Sequence, residues 1–396
     1  MEGRKIMIRK HFILLLTVLL MMPSISIFAE DAELTNHSSS SFLMEVDTGT
    51  VLHEKNAHKQ LPPASMTKLM TLLLIMEEID QGKLTLSEKV RVSEYAASMG
   101  GSQIFLEPNE EMSVDDLLKS IAIASANDSS VALAERIAVS EENFVKRMNE
   151  RVKELGLKNT KFKNVTGLPE EGHFSSAYDM AKIAQELLKH DEITSYTQIY
   201  EDYLRKGTDE EFWLVNTNKL VKFYQGVDGL KTGYTNAAKY CLTATAKRGD
   251  MRVIAVSMGA ETVKDRNADV TNMLDYAFSH YELHKLHDKE IPLYSWSHLK
   301  SEQDELNLVA DQNVSVLLSK GEKMKDYKTV VEPGNISKWP MKQGEQLGYL
   351  HVKKGDTTMK KIPLYVQEDV QEAGLLKLFN RVGKYLHQGY KTSNKN

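Results

Sequence analysis

The chain has 396 residues, 41% of them apolar and 27% charged, with 50 Lys and Arg against 55 Asp and Glu for a formal net charge of −5. This balance excludes a disordered or fibrous chain, leaves no basic footprint for nucleic acid, and allows a sizeable core shared among two or three domains of roughly 100–200 residues each. A single cysteine, Cys241, excludes an internal disulfide, so packing must carry the stability.

The N-terminus opens with Arg4, Lys5, Arg9 and Lys10, followed by an almost wholly apolar run over residues 12–22 that Pro23 and Ser24 end. With "IFAED" offering a cut after Ala29, residues 1–29 read as a secretory signal peptide. The run is shorter than the ~20 residues that a membrane span needs. Cleavage removes four positive charges and one negative (Glu2), leaving 46 against 54, a net of −8.

"SFLMEVDTGTVLHEK" (41–55) is a hairpin signal around Asp47-Thr48-Gly49. From Ser65 to about Ile79, Met66, Leu69, Met70, Leu73 and Met76 recur at helical steps. Residues 80–200 read mostly as helices divided by Gly and Pro. Strand character returns at "VDGLKTGYT", "KYCLTATAK" and "RVIAVSMGA", and a helix is expected from about Asp265 to Tyr281. Strands at both ends of this span, with helices between, imply one α+β domain over about 35–285, an antiparallel sheet flanked by helices. Cys241 reads as a small buried hydrophobe on one of those strands.

Residues 288–367 change to short alternating runs, "NVSVLLSK", "LGYLHVKK" and "IPLYVQ", which predict a small all-β domain. The tail, 368–396, contains an amphipathic segment, "VQEAGLLKLFNRVGKYLHQGY", that places Leu375, Leu378, Phe379, Val382, Tyr385 and Leu386 on one helical face and Lys377, Arg381 and Lys384 on another.

Three short motifs carry chemistry. In "PPASMTKLM", Ser65 and Lys68 stand one helical turn apart, a hydroxyl and an amine that can take its proton if burial or a neighbouring cation keeps the lysine neutral. The unpaired N–H groups of a helix starting there can serve an oxyanion. "IASANDSS" supplies Ser125, a proton relay, and Asn127, an amide for a substrate carbonyl. "VDGLKTGYT" supplies Lys231 as a cation for an anionic group, Thr232 as a hydroxyl donor, and Gly233, which lets substrate lie along the strand. Lys231 is also the charge that would depress Lys68. A second Ser-x-x-Lys, Ser297 to Lys300, has no such companions and reads as chance.

In this order the motifs are the signature of penicillin-binding proteins and class A β-lactamases. The chain resembles the low-molecular-weight serine D-alanyl-D-alanine carboxypeptidases of that superfamily, the peptidase S11 family, and looks most like the exported Bacillus-type enzymes, the sporulation-associated kind included. "GGSQIFLEP", "GLKNTKF", "TGLPEEGHFSSAYDMA" and "GVDGLKTGYT" extend the likeness over nearly the whole chain.

The resemblance implies a penicillin-binding/β-lactamase-like catalytic domain and a set of roles. Ser65 would be the acylated nucleophile, Lys68 its base, Ser125 a proton relay and Asn127 the residue that orients the substrate amide. Lys231, Thr232 and Arg266 would bind the substrate carboxylate, and the backbone N–H groups of Ser65 and Tyr234, beside Gly233, would form the oxyanion hole. Expected partners are peptidoglycan stem peptides ending in D-Ala-D-Ala, β-lactams, and a membrane surface met by the tail, with no cofactor and no metal. The location implied is the outer face of the cytoplasmic membrane.

Three rival readings make distinct demands on the sequence. A class A β-lactamase would carry a Glu-x-x-Leu-Asn segment between the second and third motifs and an aspartate where Ala126 stands; neither is present. A metallopeptidase would draw on "HYELHKLH", where His280, His284 and His287 recur at helical ligand spacing, but without His-Glu-x-x-His they read as solvated residues at a helix end. A non-catalytic wall-binding protein would leave the motifs dispensable.

Overall fold

The computed structural model describes residues 34–383. The signal peptide expected over 1–29 and the last part of the tail, with Lys384, Tyr385 and Leu386, lie outside the described residues.

The 41–55 hairpin forms as strands β1 (Ser40–Glu45) and β2 (Val51–Lys55). The helix expected from Ser65 starts as a 3-10 turn, Ala64–Thr67, and becomes α1 at Lys68–Asp80. The two preceding prolines and Ala64, held at φ 48°, account for the tight first turn. Strands β3 (Lys89–Arg91) and β4 (Glu111–Ser113) bracket the 98–110 segment. Helices α2 (Val114–Ala124), α3 (Asn127–Ala138), α4 (Glu141–Glu154) and α5 (Ala177–Leu187) follow. Serines at 113, 140 and 176 cap α2, α4 and α5 by accepting a backbone N–H three residues on. A hairpin, β5 (Glu201–Leu204) and β6 (Phe212–Val215), leads to β7 (Val227–Thr235), β8 (Lys239–Arg248), β9 (Met251–Ala260) and helix α6 (Val263–His280).

The main sheet is antiparallel, ordered β2-β1-β9-β8-β7, so the N-terminal hairpin joins the later strands. Successive side chains on a strand point to opposite faces, and both faces here are covered. Phe42, Met44, Cys241, Ile254 and Val256 pack toward the helical block around α1, which is buried almost all round. Leu43, Leu242, Ala244, Val253 and Ala255 pack with Val270, Met273, Leu274 and Ala277 of α6. Cys241 is fully buried, and burial pushes its thiol up to about 11, in keeping with a packing residue.

The "HYELHKLH" stretch departs from expectation. The helix ends at His280, and Tyr281–His287 is a strand, β10, paired antiparallel with β13 (Val314–Ser319). His284 and His287 are therefore strand residues, not neighbours on a helix end. Alternation decides it, because Tyr281 and Leu283 pack against the α6 core while Glu282 is exposed. Among the described residues no group of three or more His, Cys, Asp or Glu is arranged to hold a metal ion.

The 35–285 span expected for the first domain thus overlaps β10, whose ladder partner belongs to the following β region. That region has a second antiparallel sheet of strands β11 (Tyr294–Trp296), β12 (Leu306–Val309), β14 (Tyr327–Pro333), β15 (Gln346–Lys354) and β16 (Thr357–Val366), ordered β11-β12-β16-β15-β14. Its core includes Leu308, Val316, Leu350, Ile362 and Leu364. Lys360 Nζ reaches the Asp47 and Thr48 carbonyls at 3.1 and 3.2 Å, tying it to the first hairpin.

Residues 375–383 form helix α7. Leu375, Leu376 and Phe379 are each 85% exposed, whereas Leu378, expected on the same face, is half-buried. The two described residues of the basic face turn inward: Lys377 bonds Glu302, and Arg381 donates to the carbonyls of His298, Ser301 and Gln303 and to Asp304 Oδ1. No described helix is long and apolar enough to cross a membrane.

Candidate active site

The 3-10 turn presents Ser65 half-buried at the front of α1. One turn on, Lys68 is fully buried, with Nζ donating to Ser65 Oγ at 3.2 Å, Asn127 Oδ1 at 2.6 Å and the Thr166 carbonyl at 2.7 Å. Three acceptors fix the amine in place. Burial first, and then repulsion from Lys231, hold Lys68 well below the ordinary lysine range, with Asp128 acting in the opposite sense.

Ser125 ends α2 in the left-handed conformation, at φ 66° and ψ 32°. The chain reverses there and re-enters a helix at Asn127, so both residues are delivered to one wall. Asn127 holds Lys68 with its oxygen and donates Nδ2 to the Gly100 carbonyl at 2.7 Å. Ser125 Oγ is buried yet has no hydrogen-bond partner. An unpaired buried hydroxyl costs about 1–3 kcal/mol, so one left in place in a site wall is a group to account for.

Strand β7 forms the facing wall. Gly233 packs so tightly on the serine turn that a Cβ there would lie 2.7 Å from the Pro63 carbonyl oxygen and 3.3 Å from Met66 N. No larger residue lets the strand approach the turn that carries Ser65. Lys231 is buried, and desolvation together with the Arg266 charge lowers it to about 7. Arg266 lies near the start of α6, itself buried and lowered to about 10. Thr232 donates Oγ1 to Thr217 Oγ1 at 2.7 Å. Tyr234 is 51% exposed, with its ring 4.4 Å from that of Tyr240.

The structure therefore joins Ser65, Lys68 and Asn127 by direct hydrogen bonds. It brings Lys231 within electrostatic reach of Lys68, sets Arg266 behind Lys231, and seats Gly233 on the turn. The Tyr234 side chain takes no part in this cluster. Ser297 and Lys300, the second Ser-x-x-Lys, fall in an exposed stretch of the β region, in keeping with chance.

Several contributors carried no local signal. Thr217 holds Thr232 from a separate segment, and Thr166 offers a backbone carbonyl, for which residue type is silent. His173 Nε2 lies 2.8 Å from Thr67 Oγ1, bracing the serine turn, while its Nδ1 accepts the Lys163 N–H at 3.3 Å. That acceptor role leaves Nε2 as the donor to Thr67. Gly167, Gly100 and His173 do lie in "TGLPEEGHFSSAYDMA" and "GGSQIFLEP", the stretches through which the likeness was traced, but there they had no assigned role.

The family profile described as D-alanyl-D-alanine carboxypeptidase matches residues 27–262, and one described as the C-terminal domain of penicillin-binding protein 5 matches 281–372. The chain is 54% identical over 373 residues to the D-alanyl-D-alanine carboxypeptidase DacF of Bacillus subtilis (strain 168), covering 93% of this chain and 96% of that one. It is 34% identical to the carboxypeptidase DacC of Escherichia coli (strain K12), covering 87% and 86%. Its fold matches the crystal structure of penicillin-binding protein 5 from Haemophilus influenzae with a TM-score of 0.68 at 29% identity, over 85% of this chain and 98% of that one.

Proposed function

The chain belongs to the D-alanyl-D-alanine carboxypeptidase family of penicillin-binding serine hydrolases, and on that premise we propose that Ser65 is its nucleophile and Lys68 its general base. The observation that carries this assignment is the Lys68 amine, fully buried, 3.2 Å from the Ser65 hydroxyl and held well below its usual range. When neutral, the amine keeps its two N–H groups on Asn127 Oδ1 and the Thr166 carbonyl and turns its lone pair to the Ser65 hydroxyl, whose proton it takes as the oxygen attacks.

The enzyme removes the terminal D-alanine from peptidoglycan stem peptides. Ser65 Oγ attacks the carbonyl between the last two D-alanines while its proton passes to Lys68 Nζ. The oxyanion is received by the backbone N–H groups of Ser65 and Tyr234. The Lys68 ammonium returns that proton by way of Ser125, whose hydroxyl is buried and unpaired and which passes its own proton to the departing amine as it takes the one from Lys68; the C–N bond breaks, D-alanine leaves, and Lys68 is neutral again. Lys231, Thr232 and Arg266 hold its carboxylate, and Asn127 orients the amide of the remaining chain. Neutral Lys68 then takes a proton from water as the water oxygen attacks the Ser65 ester, the bond to Oγ breaks, and Lys68 returns the proton to Ser65 Oγ. A β-lactam acylates Ser65 by the same attack, but its leaving amine stays tethered, so the ester persists.

The finer setting is also our reading. Residues 1–29 direct export, the enzyme works on the wall at the outer face of the cytoplasmic membrane, and α7 seats it there through Leu375, Leu376, Phe379 and Val382. With Lys377 and Arg381 occupied by the β region, apolar burial supplies that binding. The test of the catalytic assignment is release of D-alanine from a pentapeptide ending in D-Ala-D-Ala. We expect release by the purified enzyme and none by Ser65→Ala; release undiminished in that variant would refute the assignment.

A further inference from the structure

One buried ionisable group in the site wall has no part in the steps above. Asp128 follows Asn127 in the first turn of α3 and is fully buried. Its Oδ2 accepts the backbone N–H groups of Ile104 at 3.0 Å and Leu106 at 3.2 Å, and its Oδ1 accepts that of Ser129 at 2.8 Å. Phe105, between the first two donors, sits at φ 55°, a turn that converges both N–H groups on one carboxylate.

The same segment is bound to Asn127. The Gly100 carbonyl takes the Asn127 amide, and the Ser102 carbonyl takes the Asn127 backbone N–H, each at 2.7 Å. Two consecutive residues thus pin residues 100–106 against the start of α3. One of the two, Asn127, holds Lys68 directly at 2.6 Å.

The charges around Lys68 give Asp128 a second task. Lys231 repels the Lys68 cation, Arg266 stands behind Lys231, and Asp128 is the negative group acting in the other sense. When Lys68 takes the serine proton it becomes an ammonium beside these cations in a buried wall. A buried carboxylate stabilises that ammonium, and it needs no direct contact to do so.

We propose that Asp128 is a positioning residue for this reaction: its carboxylate pins the 100–106 segment and serves as the counter-charge to the ammonium that Lys68 becomes during acylation. This rests on the reading of Lys68 as the base. It goes beyond that reading in making the base strength of Lys68 depend on a residue that touches neither Ser65 nor substrate. Without the carboxylate, Lys68 sheds its proton at lower pH and is a weaker base once neutral.

The test is the pH profile of penicillin acylation in the intact protein, for wild type, Asp128→Asn and Asp128→Ser, with Ser65→Ala as control and thermal unfolding run alongside. In either folded variant the acid limb should move to lower pH by roughly one unit, with a lower plateau. Asp128→Glu, which keeps the charge, should return the limb toward its wild-type position. A purely structural role would lower the unfolding temperature and leave the limb where it was, which would overturn the proposal. Acylation of the Ser65→Ala control would instead overturn the reading of Ser65, a separate result.

Discussion

Gly167 lies so close to Ala64 that a Cβ on it would stand 1.8 Å from the Ala64 carbonyl oxygen. Both residues hold left-handed backbone, with φ of 83° and 48°. The neighbour of one, Thr166, offers its carbonyl to Lys68, and the neighbour of the other is Ser65. This contact therefore sets the distance between base and nucleophile. Gly167→Ala must both strain its own φ and push the serine turn away. We predict a loss of about 3 kcal/mol in stability and at least a tenfold slower acylation by penicillin. Thermal unfolding and acylation kinetics check it, and an unmoved unfolding temperature would contradict the packing.

The pH dependence of kcat/KM should be bell-shaped. With the roles proposed above, the acid limb comes from Lys68, which must lose its proton to act as base. The alkaline limb comes from Lys231, which must keep its proton to hold the substrate carboxylate and which loses it at about 7 in the free enzyme. Arg266→Leu removes a repelling cation, so that limb should move to higher pH even as KM rises. A substrate ending in a carboxamide should lack the alkaline limb. Rate profiles on the two substrates, in both enzymes, decide this.

His173 bears on stability in acid. Burial lowers it from 6.5 to about 4 in the folded chain, so the unfolded chain binds the proton first as pH falls. Stability that is full above pH 6.5 is then lost as pH falls toward about 4. At full effect the slope is about 1.4 kcal/mol per pH unit. His173→Gln, which preserves a donor to Thr67, should flatten this part of the stability curve. Denaturant titrations between pH 7 and 4 measure it, and parallel curves would contradict the assignment.

The tail makes a separable prediction. Leu376→Asp with Phe379→Asp should abolish sedimentation with phospholipid vesicles and leave D-alanine release from a soluble pentapeptide unchanged. Since Lys377 and Arg381 are engaged by the β region, wild-type binding should depend little on the anionic lipid fraction.

Much of this site was legible in the sequence, because Ser65–Lys68, Ser125–Asn127 and Lys231–Gly233 each lie within one short segment whose spacing survives folding. The sheet was legible for a similar reason, as alternating apolar runs at both ends of the domain need a common partner. What joins the segments was not. Thr217 reaches Thr232 from fifteen residues away, Asp128 binds backbone N–H groups more than twenty residues back, and His173 and Gly167 meet the serine turn from about a hundred residues on, contacts that residue type does not announce. The "HYELHKLH" stretch misled because its histidines fall at helical spacing, whereas the strand forms through Tyr281, Leu283 and a partner more than thirty residues on. On α7 the basic residues suggested a lipid-facing charge, but the acceptors that bind them lie in the 298–304 loop, far off in sequence.

Acylation of Ser65 is measured most directly by incubating the purified protein with a labelled penicillin, digesting it and mapping the adduct by mass spectrometry. The account predicts a long-lived adduct on the peptide containing Ser65, absent in Ser65→Ala. A stable adduct on another residue, or undiminished labelling of Ser65→Ala, would contradict it.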